Sequence, residues 1–242
     1  MFIVLALVFA LGFVVFGVGS GGGAGIGDII GNGGSSSGGP SVKGAQKKIA
    51  KGDPVGYKEL SDAYRNNNKL DLAMAASEQY VKARPKDYDF MRNLASDYEG
   101  KAARLRNDAQ AVQDDLNSHT GGSMFTLPST TPLGRMLGQT GNIDRELTTI
   151  ANQKLTEQYT GIQKAYTRAT QIYQQIAAAK PSDVLLQLLL AQSAYQARLV
   201  STATKAYNRV IKLAPDSPEA QQARQQLSFL RLQSQATGTP SR

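Results

Sequence analysis

The chain contains no cysteine, no tryptophan and a single histidine. Without cysteine there can be no disulfide, no thiolate nucleophile and no thiolate metal ligand. His119 has no second imidazole with which to share a metal and no thiol to activate, so it reads as a solvated loop residue. Strand signals are also missing, since no sustained alternation of apolar and polar residues occurs. Asp114 and Asp115 are adjacent, but neighbours on a helix diverge by about 100° and do not share a site. No catalytic residue, metal site or cofactor is expected, and the chain is read as not an enzyme. Acidic residues are in the minority, 19 against 27 Lys and Arg, which gives a net charge of +8. That surplus favours acidic partners or an anionic membrane surface. It is spread along the chain and accompanies no recognised nucleic-acid motif, so nucleic acid is not an expected partner.

One long hydrophobic run stands out. Phe2 to Val18 is apolar apart from Gly12 and Gly17 and carries no charge. About 17 residues is the short limit for a membrane-spanning helix. A cleaved signal peptide would bring a positive start and a small-residue cleavage site, and neither is present. Residues 1–18 are therefore expected to be a single-pass transmembrane anchor. The first positive charge after it, Lys43, lies beyond the window of about 15–20 residues in which Lys and Arg set orientation. Residues 19–52 read as tether and linker. Its Gly/Ser-rich part, Gly19 to Pro40, has a typical reach of about 25 Å. Gly17, Gly19 and Gly22 match a dinucleotide-binding fingerprint, but no βαβ unit surrounds them. From Lys43 a weak helical pattern begins.

The stretch from Pro54 to Asp87 reads as two short amphipathic helices. They are separated by the polar turn Asn66-Asn67-Asn68 and closed by Pro85. Tyr57, Leu60, Ser61 and Tyr64 mark the first helix, and Ala73 is the small residue where the second crosses it. Tyr57, Leu60 and Tyr64 recur 34 residues on as Met91, Leu94 and Tyr98. Pro181 and Pro215 are also 34 apart, preceded by Ala169, Tyr173, Ile176 and by Ala203, Tyr207, Val210. This pattern resembles the tetratricopeptide repeat, a 34-residue helix-turn-helix unit. Two residues depart from it: Ser77 stands where a large residue is usual, and Tyr80 where alanine is usual.

The resemblance implies an all-α helical repeat array. The repeat domain spans 53–235, with repeat 1 at 54–87, repeat 2 at 88–183 and repeat 3 at 184–217. A capping helix at 218–235 carries Ala220, Ala223, Leu227 and Leu230, and a flexible tail covers 236–242. Repeat 2 is interrupted by a hairpin insertion over about 99–168. Ala102, Leu105, Ala109, Val112 and Leu116 continue its first helix in steps of three and four. Ile143, Leu147, Ile150, Leu155, Tyr159, Ile162 and Tyr166 form the return stripe, with one step of five. Two facing stripes predict an antiparallel coiled coil. Its tip holds Met124, Phe125, Leu127, Leu133, Met136 and Leu137 among glycines and prolines. Such a cluster is a candidate contact surface or a plug folded on its own stalk.

Function follows from the same resemblance. Repeats of this family present first-helix faces to a protein or peptide partner. The places that would line the groove are Lys58, Asp62, Arg65, Arg92, Ser96, Glu99, Leu185, Leu188, Gln192 and Tyr195. Chaperone-binding members clamp a carboxylate through five places. Lys58 and Asn93 fit two, while Asp62, Leu185 and Leu189 break the rest, so that clamp is not carried over. The anchor's ending, Phe16-Gly17-Val18-Gly19, resembles bacterial membrane-bound folding factors, which implies an extracytoplasmic domain. The expectation is a membrane-tethered scaffold that binds another protein. Two alternatives are a membrane-bound helper of folding or export, and a self-associating envelope structural protein.

Overall fold

A computed structural model describes residues 40–120 and 140–236 of the chain. The anchor at Phe2–Val18, nearly all of the Gly/Ser-rich tether, the hairpin-tip residues 124–137 and the end of the tail lie outside the described residues. Among those described there are eight helices and no strand. They are α1 (Val42–Ala50), α2 (Val55–Asn66), α3 (Leu70–Ala83) and α4 (Tyr88–Thr120). There follow α5 (Thr140–Ala179), α6 (Val184–Gln196), α7 (Val200–Leu213) and α8 (Pro218–Ala236). No described helix is long and apolar enough to cross a membrane.

The helices stack in two layers. One layer holds α2, α4, α6 and α8, and the other holds α3, α5 and α7. Alanine sets the distance between layers. Ala73, Ala169 and Ala203 are 1%, 0% and 0% exposed, so each places its helix backbone directly on a neighbour. Around Ala169 and Ala203, Leu94, Ile172, Tyr173, Leu190, Tyr207 and Val210 form one continuous core. Burying side chains of this size contributes about 1.5–3 kcal/mol each before chain entropy is subtracted.

Turn chemistry explains the order of the stack. After Pro85, Pro181 and Pro215 the next helix begins three residues on, at Tyr88, Val184 and Pro218. The side chains of Asp87, Asp183 and Ser217 then accept from the backbone N–H of Phe90, Leu186 and Ala220 at 3.1, 3.0 and 3.1 Å. Proline ends each helix because it cannot supply the next N–H, and the cap satisfies a donor that the following helix leaves open. The turns inside the helix pairs also match. Asn68 and Arg198 both take positive φ, 56° and 58°. The N–H groups of Lys69 and Leu199 both reach back to the carbonyls of Tyr64 and Ala194 at 2.8 Å. That is the bond pattern of a Schellman C-cap.

Each of the two departures from the repeat pattern has its own local partner. Ser61 and Ser77 are both fully buried and share a hydrogen bond of 2.7 Å, so a hydroxyl pair fills the place of a large side chain. Tyr80 lies against Phe90 with ring centroids 4.4 Å apart, and its hydroxyl donates to Asp87 at 2.8 Å.

The structure corrects the sequence reading in three places. Residues 42–50 belong to a helix docked on the repeats, not to a linker. Ala45 packs with Leu60 and Ala76, and a Cβ added at Gly56 would meet the Ala45 carbonyl at 2.8 Å. The stripe on α5 is also rotated in its outer part. Leu147, Ile150 and Tyr159 are 53%, 55% and 58% exposed. Leu155 and Ile162 are buried, with Ala151 and Gln158 partly covered between and before them. The regular four-three-four spacing of 151, 155, 158 and 162 displaces the five-residue step, because a helix keeps one face only in steps of three and four. The stripe on α4 stands as expected, with Ala102 and Ala109 buried. The third correction, Leu188, belongs to the groove described next.

Candidate peptide-binding groove

The groove expectation places ten residues on α2, α4 and α6, and the structure sorts them into distinct environments. At the N-terminal end, Arg65 pairs with Asp62 at 3.4 Å and more closely with Asp97 of α4. Lys58 lies over the Phe90 ring, 5.8 Å from its centroid. Arg92 sits 3.8 Å from Asp89 and shares a shallow dent with Leu185, Tyr88 and Lys180. Ser96 is exposed on the same face. Leu188 does not line the groove. It is 6% exposed and packs in the core, since α6 is apolar nearly all round and turns that residue inward.

The other three expected residues come together. Glu99, Gln192 and Tyr195 line a cavity of about 360 Å³ with Gln196, Gln222 and Gln226. Tyr166, Ser193 and Tyr207 complete the wall. First-layer helices α4, α6 and α8 each contribute. Gln222 and Gln226 follow Leu188 and Gln192 by 34 residues, so carrying the period beyond Pro215 would have located them. Gln196 has no such signal and is a neighbour of Tyr195 at the helix end.

The electrostatics differ sharply between two carboxylates. Glu78 of α3 accepts from Arg168 Nε at 2.7 Å and from the Tyr98 hydroxyl at 2.9 Å. Burial pushes its carboxyl up, but Arg168 and Tyr98 outweigh burial and hold it below the usual range. Burial and the adjacent Glu78 push the Tyr98 hydroxyl up to about 12. Glu99 has no cation against it among the described residues. Burial raises its carboxyl above the usual range, offset in part by the hydroxyls of Tyr173 and Ser193. The Tyr173 hydroxyl donates to it at 3.4 Å. Arg106, seven residues along α4, turns instead to Gln196 at 3.2 Å and to the Tyr166 ring and hydroxyl.

These groups suit recognition more than chemistry. A glutamine amide offers a donor and an acceptor together, the same pair that a peptide unit presents. The cavity lies near the lower end of the range of about 300–1,000 Å³ in which proteins hold small ligands or single anchor side chains. Comparison with curated proteins finds no match to the chain. The family model described as tetratricopeptide repeat matches residues 162–227, which run from the inner part of α5 through α6 and α7 into α8. Repeats of this family mediate protein–protein interaction. Residues 162–227 are therefore similar to tetratricopeptide repeats, and every residue of the candidate groove's wall except Glu99 lies within that stretch.

Proposed function

We propose that the chain is a scaffold that holds an extended segment of another protein across α4, α6 and α8. One observation supports this reading above the rest: Gln192, Gln196, Gln222 and Gln226 line a single cavity with Glu99 and Tyr195. Amides on successive first-layer helices can pair with peptide units along a strand-like segment whatever its side chains. The N-terminal end of the face contributes less, because its charges are already paired within the chain.

We also propose that Phe2–Val18 tethers this scaffold to a membrane, on the strength of its uncharged apolar run. The scaffold then works within reach of the bilayer. The full chain should stay with membranes through an alkaline wash, and its release by that wash would contradict the tether.

Site-specific photocrosslinking tests the groove. A photoreactive side chain at Gln226 should form a discrete adduct with a partner in cells. The same group at Lys205, on the exposed side of α7, should not. Equal labelling from both positions would overturn the reading.

A further inference from the structure

Within that groove reading, we propose that the cavity at Glu99 takes the cationic head of a lysine or arginine side chain from the bound segment. Glu99 projects from α4 into a cavity whose other polar groups are neutral amides, phenols and the Ser193 hydroxyl. Its carboxylate accepts from hydroxyls alone, although every other acidic residue named on this face has a cation beside it. A partly buried carboxylate without a cation loses water and gains little in exchange. An ammonium or guanidinium entering the cavity would make the charge-assisted bond that the fold leaves unmade.

The surrounding residues narrow the ligand further. The amides of Gln192, Gln222 and Gln226 are placed to hold peptide units on either side of the inserted head. Tyr195 adds a ring face that suits the aliphatic stem or a guanidinium plane. The net charge of +8 repels a strongly basic partner at a distance. The site therefore fits a segment with one lysine or arginine among neutral or acidic residues. Arg106, held at Gln196, would favour an acidic neighbour on that side.

An array of capped nonapeptides, randomised except for the central residue, tests this with the full chain in mild detergent as the probe. Peptides centred on lysine or arginine should be retained about tenfold better than those centred on norleucine. Glu99→Gln should flatten that preference. Glu99→Lys should shift the preference to central glutamate or aspartate. Helicity is measured for each variant, and Glu99→Gln alone decides the question if Glu99→Lys does not fold. A lysine preference that survives Glu99→Gln overturns the assignment. Retention without any central charge preference, but lost in Gln222→Ala/Gln226→Ala, overturns it and leaves the groove reading standing. No retention of any peptide above the bare support overturns both.

Discussion

The two ends of the first-layer face are built on the same frame and carry opposite electrostatics. At the N-terminal end, Arg65 bridges Asp62 and Asp97, and Lys58 lies on Phe90. Beneath it, Arg168 and Tyr98 close around Glu78 across three helices. At the C-terminal end, Glu99 meets hydroxyls only, and glutamines replace the paired charges. A satisfied network holds helices in register and leaves little for a ligand to gain. An incompletely satisfied one costs some stability and keeps binding energy available for whatever completes it. The difference teaches where on a uniform repeat face a partner gains most.

Substitutions at matched places can break that comparison. The largest effects should come from the shared frame. Ala73→Trp and Ala203→Trp each overpack a helix crossing and should cost about 3 kcal/mol in urea unfolding. Similar losses at both ends are expected, and a tolerated tryptophan at either would mean that the crossings differ. Next comes Arg168→Ala, which strands Glu78 beside Tyr98. Arg168 is about a third exposed, so the loss should be near 2 kcal/mol, below the 3–5 of a fully buried pair. Its size should shrink as pH falls. Glu78 is depressed in the folded protein, so its stabilising contribution is present at neutral pH and lost as the carboxyl protonates.

The helix-pair turns supply a finer contrast. Arg198 holds positive φ without the side-chain help that makes asparagine tolerant there. Arg198→Gly should therefore stabilise by about 1 kcal/mol, and Asn68→Gly by only a few tenths. Thermal midpoints of the two variants compare them directly. The smallest loss is expected for Arg65→Ala. Its pairs are about a third exposed, and removing them should cost less than about 1 kcal/mol in urea unfolding.

Most of the frame was legible in the chain because proline and alanine act locally. Pro85, Pro181 and Pro215 stop helices wherever they stand, and the small residues before them allow the crossings. What escaped depends on contacts with no period. Helix α1 is amphipathic but short, and its docking turns on a missing Cβ at Gly56, which no spacing announces. The outer face of α5 was ambiguous because its apolar residues contain a five-residue step. Glu78 and Arg168 lie 90 positions apart, and an ion pair leaves no spacing to read. In the candidate groove, Glu99, Gln192 and Tyr195 followed from the repeat register. Leu188 did not, because a helix that is apolar nearly all round gives no sign of which leucine turns inward. Gln222 and Gln226 were missed because the period was not extended into the closing helix.

The central claim is that Glu99 is kept charged at a cost that a ligand relieves. Thermal melting of the chain and of Glu99→Gln from neutral pH to mild acid tests it most directly. Glu99 is raised in the folded protein, so its ionised form destabilises the fold above that pKa, and the cost fades as pH falls through it. The account predicts that Glu99→Gln melts higher at neutral pH and that the gap closes on acidification. A variant that melts lower at neutral pH, or a gap that does not change with pH, would contradict it.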